Sequence, residues 1–298
     1  MDIHVRQRFD RCRADGMYKY VFDLVSERHR SDKLHLKEIE MENPKPKSGK
    51  SLNTQSGIQT EIKGKRMNRG LVSILLHALD EEKSIGKVID SIPQDVLRER
   101  GYEVEVIVVD GHSRDRTISI ARAKGARIIT QTGLGKGNAM RTAFKKANGA
   151  YVFMMDADNT YNPRFILRML PHLESGEYDV VLGSRLRGSI ESGAMPPVNM
   201  LGNKVLTSTA NLLFHNGHRM SDVCTGMWGF NGGAIKRLKL NSKRFELEAE
   251  MYAKCVKRGF KIGEVPVNYK KRDTFAKLKS IRDGIRIWVR LILEKIKK

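Results

Sequence analysis

The 298 residues carry 55 Lys and Arg against 34 Asp and Glu, a formal charge of +21, and 40% of them are hydrophobic. That length and apolar content allow one large domain or two small ones with a real core, and the charge points to an anionic partner: nucleic acid, a phosphorylated substrate or an acidic membrane surface. Three scattered cysteines (Cys12, Cys224, Cys255) with no C-x-x-C argue for a reducing compartment and against a disulfide framework or zinc site, and the charged start and missing apolar run of eighteen predict neither a signal peptide nor a membrane span.

Residues 1–66 read as an N-terminal extension. Phe9, Tyr18, Tyr20, Phe22 and Leu24 suit a short helix, and from Asn43 to Arg66 the chain is rich in Lys, Ser, Gly and Pro, the composition of a linker or disordered segment. Gly49-Lys50-Ser51 mimics the end of a P-loop, but Pro44 stands where the first glycine belongs and no strand precedes it. The folded domain is expected over 67–298.

From Leu71 the chain alternates. Leu71 to Leu76 predicts a strand, Glu81 to Ile92 a helix, Val104 to Asp110 a second strand. Ser113 is expected to cap a helix that ends at Gly125, and Ala126 to Thr130 forms a third strand. Lys136 to Asn148 predicts a helix with Gly149 as its C-cap. Tyr151 to Asp156 is a fourth strand, Asn162-Pro163 opens a helix, and Tyr178 to Gly183 is a fifth strand. Beyond Ser184 the pattern changes: a loop to Pro197, a helix from Val198 to Phe214, a strand from Thr225 to Phe230, a helix from Phe245 to Arg258, a strand from Ile262 to Tyr269, and a final helix from Phe275. Repeated β-α units on this spacing predict an α/β fold, a mostly parallel sheet with helices on both faces.

The fourth strand ends in Asp156-Ala-Asp158. Strand residues two apart share a face, so the two carboxylates should converge, and they repel unless a cation sits between them. Hard oxygen ligands suit Mg²⁺ or Mn²⁺, which also bind substrate phosphates. Polar signals end four strands: Asp80-Glu81-Glu82, Asp110-Gly-His-Ser, Asp156-Ala-Asp158 and Gly183-Ser-Arg185. Parallel alignment brings them to one edge, where open α/β sheets bind ligands.

With Ala78-Leu-Asp-Glu-Glu, Val108-Val-Asp-Gly-His-Ser, Gly133-Leu-Gly-Lys-Gly137, Gly202-Asn203, Ser221-Asp-Val-Cys-Thr-Gly226 and Phe245-Glu-Leu-Glu248 added in order, the chain from about Leu71 to Ile287 resembles the family 2 glycosyltransferases of the GT-A fold, specifically the dolichyl-phosphate (polyprenyl-phosphate) sugar synthases. The loop ending Gly193-Ala-Met-Pro196 is most similar to the archaeal and bacterial branch. The resemblance implies that Leu79 and Glu81 contact a donor nucleotide, that Asp110 meets its base or ribose, and that Lys136 lies near the donor. It implies that Asp156 lies by the ribose and metal, that Asp158 is the main metal ligand, and that Arg185, Arg187 and Arg272 meet phosphate. Where the family usually has Pro-Ala-Leu-Asn-Glu, this chain has His77 and Asp80, an added carboxylate beside the nucleotide.

The implied activity is metal-dependent, inverting transfer of glucose, N-acetylglucosamine or mannose from a nucleotide sugar, UDP-linked in expectation, to dolichyl or polyprenyl phosphate. A phosphate nucleophile is largely deprotonated at pH 7 and needs no general base. The chain lacks both a Glu-Asp dipeptide and Gln-x-x-Arg-Trp, in keeping with a phosphate acceptor. Glu246 and Glu248 are either acceptor-site groups or an exposed helix face. The alternatives are transfer to a hydroxyl on a lipid-linked or soluble glycan, and a non-catalytic nucleotide or nucleic-acid binding protein. No aromatic platforms interleave with arginines, so nucleic acid is not expected. Phe275, Leu278, Ile281, Ile285, Trp288, Ile292 and Ile296 recur at helical spacing among many basic residues. That pattern predicts a basic amphipathic helix that either packs on the core or lies on an anionic membrane, with the protein peripheral at the cytoplasmic membrane face.

Overall fold

A computed structural model describes residues 69–214, 217, 219–273 and 280–297. The extension over 1–66, the P-loop mimic, His215, His218, Phe275 and Leu278 lie outside the described residues. Seven strands form one sheet in the order β3-β2-β1-β4-β6-β5-β7. The first strands are near-continuous apolar runs, β1 (Leu71–Ala78), β2 (Glu103–Asp110) and β4 (Tyr151–Asp156). Such runs suit parallel strands covered on both faces. β3 (Arg127–Thr130) pairs parallel with β2, and β5 (Val180–Ser184) pairs parallel with β7 (Ile262–Pro266), whereas β6 (Trp228–Asn231) runs antiparallel to both β4 and β5 between them.

The helices follow as α1 (Ile85–Ser91), α2 (Gln94–Glu99), α3 (Thr117–Ala123), α4 (Lys136–Lys146), α5 (Ile166–Glu174), α6 (Pro197–Leu213), α7 (Gly232–Arg237), α8 (Leu247–Lys257) and α9 (Ser280–Ile296). Two cores lie on opposite faces of the sheet. One centres on Leu75, Met154, Trp228 and Tyr252, the other on Leu76, Phe153, Ile89 and Leu170. Stacked Trp228 and Phe230, with ring centroids 5.8 Å apart, anchor the first.

Several local expectations are corrected. Ser113 does not cap α3; its hydroxyl accepts from the Asp80 N–H (3.0 Å), and Asp115 receives the Thr117 N–H (2.9 Å) instead. Gly149 is not a C-cap, because α4 stops at Lys146 and Ala147 follows it in extended conformation. Gly149 is instead pressed on β1: its N–H donates to Ser73 Oγ (2.9 Å), and an added Cβ would lie 2.6 Å from that oxygen. Asn162 accepts from Arg164 N (3.0 Å) and opens a 3₁₀ turn (Pro163–Phe165) that leads into α5. The six-residue helices α2 and α7 escape the sequence pattern because they are too short to repeat an apolar face. The expected strand from Thr225 shortens to β6, since Thr225 turns its hydroxyl to Gly183 O (2.5 Å) rather than joining a ladder.

Candidate active site

The carboxyl ends of β1, β2, β4 and β5 rise to one edge of the sheet. Antiparallel β6 brings its beginning there, so Gly226, just before it, reaches the same edge. An open cavity of about 810 Å³ stands on this edge. Its polar end is lined by Leu79, Glu81, Lys136, Asp156, Asp158, Arg185, Glu248 and Arg272. These are eight of the eleven residues singled out in the sequence. Asp110, Arg187 and Glu246 are not among the lining residues.

His77 is the register partner of Asp156 across β1 and β4. His77 lines the cavity. Asp80 turns away: its backbone is left-handed (φ 50°) and its Oδ1 accepts from the Arg114 N–H at 2.8 Å. Asn and Asp both tolerate that conformation and both offer this acceptor, so the added carboxylate is absorbed by the neighbouring turn. Glu81 is buried, with its N–H on Thr117 Oγ1 (2.7 Å) and its carboxylate held by Ser84 Oγ (2.9 Å). Asp110 is buried at the end of β2, and its carboxylate receives the N–H groups of His112 (3.0 Å) and Ser113 (3.1 Å).

At the centre, the Lys136 ammonium at the start of α4 lies 2.6 Å from Asp156 Oδ1 and 2.7 Å from Glu248 Oε1. Gly137 allows this approach of α4, because a Cβ there would lie 2.5 Å from Ser242 O. Burial would lower the Lys136 pKa, but the two carboxylates raise it well above the usual lysine range. Burial would likewise raise Asp156, yet Lys136 holds it below the ordinary carboxylate range. Glu248 has its pKa raised by burial despite the same partner. Glu248 is therefore no exposed helix face. Glu246, just before α8, caps the turn instead, with its Oε1 on the N–H groups of Lys243 (2.9 Å) and Arg244 (3.2 Å).

Asp158 lies just past the end of β4. Its Oδ1 receives both Thr160 Oγ1 (2.6 Å) and Thr160 N (3.2 Å), while Arg272 Nη2 reaches Oδ2 at 3.1 Å. Burial and then the Asp156 charge push its pKa up. Two carboxylates on one cavity wall fit a small hard cation whose remaining ligands are phosphate and water. Gly226 leaves the space that the Asp156 carboxylate occupies, since a Cβ there would lie 2.3 Å from Asp156 Oδ2. Among the described residues no group of three His, Cys, Asp or Glu side chains forms a complete cage.

Arg185 lines the cavity but its fork is already engaged. Nε and Nη2 each meet an Asp222 oxygen at 2.7 Å, and Nη2 also donates to Cys224 O (3.0 Å). The guanidinium stands over the Tyr269 ring, 5.3 Å from its centroid. Asp222, fully buried, also accepts from Asn203 Nδ2 (2.7 Å), which ties α6 to the end of β5. Arg187 is exposed, 4.0 Å from Glu264. Asp222 and Asn203 stand in the quoted motifs without an assigned role; no local signal marks them as members of a buried network.

The other end of the cavity is apolar. Val198, Leu201 and Val205 of α6 face Ile281, Ile285 and Trp288 of α9. All six side chains are exposed. α9 also packs on the core through Ile287 and Leu291, and Ile287 borders the cavity as well. No helix among the described residues is long and apolar enough to cross a membrane.

Comparison with known proteins bears on this site. The family model described as "Glycosyl transferase family 2" matches residues 73–238. The low-salt glycan biosynthesis hexosyltransferase Agl6 of Haloferax volcanii is 35% identical over 216 residues, 72% of this chain and 51% of that protein, so the chain spans about half of that relative. The dolichyl-phosphate hexose transferase of the same organism is 32% identical over 72% of this chain and 90% of its own length. Among solved structures, glucosyl-3-phosphoglycerate synthase from Mycobacterium tuberculosis in complex with Mn²⁺, uridine diphosphate and glucosyl-3-phosphoglycerate superposes with a TM-score of 0.61 at 23% identity, covering 76% of this chain and 80% of that one.

Proposed function

The chain belongs to glycosyl transferase family 2 and has the GT-A fold, and from that premise we propose that it transfers a hexose or N-acetylhexosamine, with inversion, from a UDP-linked donor to dolichyl or polyprenyl phosphate. The observation that carries this reading is the two-ended cavity: carboxylates and a buried lysine at the sheet edge continue into an apolar wall between α6 and α9. A phosphate on an isoprenoid tail matches both ends. Support comes from the Haloferax relative named for dolichyl phosphate and from the synthase fold captured with Mn²⁺ and UDP.

In this reading Leu79 and Glu81 border the nucleotide, and Asp110 keeps the β2 turn shaped for it. Asp156 and Asp158 hold Mg²⁺ or Mn²⁺, which supplies Lewis-acid stabilisation of the departing diphosphate when bound. Lys136 and Glu248 fix the Asp156 carboxylate in place. Arg185, neutralised by Asp222, and Arg272 border the acceptor phosphate, with Arg187 at the rim. The acceptor oxygen attacks the anomeric carbon as a dianion near neutral pH and needs no base. The exposed apolar wall and the cations around α9 would rest on an anionic membrane, at its cytoplasmic face. The catalytic unit would begin near Met67.

One observation favours a second reading. Glu248 is a buried carboxyl in the cavity with a raised pKa, the kind of group that serves as a base toward a hydroxyl acceptor. Purified protein with polyprenyl phosphate and a panel of nucleotide sugars, with and without Mn²⁺, separates the two. An acid-labile, phosphate-linked sugar supports the first reading. Sugar found only on glycan hydroxyls would overturn it.

A further inference from the structure

Two cations of the chain itself stand on Asp156 and Asp158. Lys136 is buried and shared with Glu248, so it is a fixed part of the framework. Arg272 differs. Its side chain is 29% exposed, it sits in an irregular stretch after β7, and it stands just before α9 in the chain. Its contact with Asp158 falls on a particular atom. Asp158 Oδ1 already accepts two hydrogen bonds from Thr160, while the carboxylate's other oxygen, Oδ2, faces Arg272 Nη2 at 3.1 Å. A divalent cation at Asp158 must take Oδ2, the oxygen the guanidinium holds.

Resting on the reading of Asp158 as a metal ligand, we propose that Arg272 is a shared cation that pairs with Asp158 until a divalent ion displaces it and then meets the acceptor phosphate, so that the acceptor site gains its arginine only after the donor site is loaded. Arg185 cannot fill that part as easily. Its fork is engaged by buried Asp222, and Nη2 also donates to Cys224 O. Arg272 is held by Asp158 and the Tyr269 side chain but is itself partly exposed, and a guanidinium serves a carboxylate and a phosphate with the same planar fork. The exchange keeps charge balanced: each carboxylate of the pair retains a positive partner in both states. It also makes the order of binding a property of the site, metal and nucleotide first, prenyl phosphate second.

Mn²⁺ binding in the absence of nucleotide, followed by the loss of the free-ion electron paramagnetic resonance signal, tests this without turnover. Arg272→Gln should bind Mn²⁺ about three- to tenfold more tightly than the parent, the range expected when a partly exposed ion pair no longer competes. Lys271→Gln, a loss of charge at the adjacent residue of the same cavity wall, should change it less than twofold. A thermal melt checks that both variants are folded. In the parent, geranyl phosphate binding measured by calorimetry should strengthen when Mn²⁺ and UDP are present, and Arg272→Gln should lose that strengthening. Equal tightening by Lys271→Gln, or none by Arg272→Gln, overturns the shared cation. Asp158→Ala run alongside keeps the two ideas apart: if it leaves Mn²⁺ binding unchanged, the metal assignment itself fails and the proposal with it.

Discussion

Gly226→Ala tests the floor of the site with one methyl group. Gly226 has an ordinary backbone conformation, so only space opposes a side chain. The added Cβ would lie 2.3 Å from Asp156 Oδ2, 3.1 Å from its Cγ and 3.2 Å from Tyr161 Cε2. Ordinary contact requires about 3.4 Å or more, so the carboxylate must retreat by roughly 1 Å. A short aspartate has little room to do so, because its other oxygen is pinned by Lys136 at 2.6 Å. Overpacking of this kind costs about 1–3 kcal/mol of stability, which leaves most of the protein folded. Displacement of a reacting group by about 1 Å costs on the order of 100-fold in rate. Initial rates of sugar transfer to polyprenyl phosphate should therefore fall by about that factor, with the melting temperature lowered by only a few degrees. If Gly226→Ala keeps its rate within twofold of the parent, Asp156 is not where the reaction needs it and the central role of that carboxylate is refuted.

Asp158→Ala should reduce transfer to background at saturating Mn²⁺ while the circular dichroism spectrum stays unchanged; substantial residual transfer would remove Asp158 from the metal site. Ile285→Asp with Trp288→Asp, both on the exposed side of α9, should release the protein from anionic liposomes in co-sedimentation yet preserve transfer to a short, soluble prenyl phosphate, and unchanged sedimentation would refute membrane seating by that face. Asp222→Asn should destabilise the protein at pH 7 by about 3–5 kcal/mol in urea unfolding, because Arg185 loses its buried counter-charge. Burial would raise the Asp222 carboxyl, but Arg185 holds it below the ordinary range, so its contribution is full above the unfolded value of about 4 and is lost as pH falls through the lower folded value. The parent and Asp222→Asn curves should thus converge only below about pH 4; convergence at neutral pH would refute the pairing.

The long strands and the edge they share were legible because β1, β2 and β4 are buried on both sides, and burial writes itself as unbroken apolar runs. The Asp156 and Asp158 pair was legible for the same reason, as charge placed abruptly after such a run. Partners were not legible, since they join residues far apart in the chain: Lys136 to Glu248, Arg185 to Asp222, Asp158 to Arg272. Glu246 and Glu248 illustrate the limit. They are two residues apart and alike, yet α8 begins at Leu247, so one caps the turn outside and the other enters the cavity. For the last helix the sequence predicts one apolar stripe, set either on the core or on a membrane. The helix has two apolar sides. Ile281, Ile285, Trp288 and Ile296 of the predicted stripe are exposed, while Ile287 and Leu291 do the packing. Basic residues on it are also unequal: Arg290 is tied to Asn241 (2.8 Å) and Glu294 (3.2 Å), and Arg286 to Asp283 (3.3 Å), so neither is a purely surface charge.

The strand order also shapes how the chain can assemble. β1, β2 and β3 come from one continuous stretch and pair with their sequence neighbours, so this half closes over modest loops. β4 must then return through α4, past β2 and β1, to pair Val72 with Tyr151, and β7 must return later still to pair Val180 with Ile262. Loop-closure entropy has to be met before such pairings contribute anything, which makes them the slow steps of a parallel sheet. Asp156 sits at the end of the strand that joins the early half to the late one. The turns after β1 and β2 can therefore be shaped before β5 and β7 are in place, and Asp156 and Asp158 reach the shared edge only when β4 joins β1.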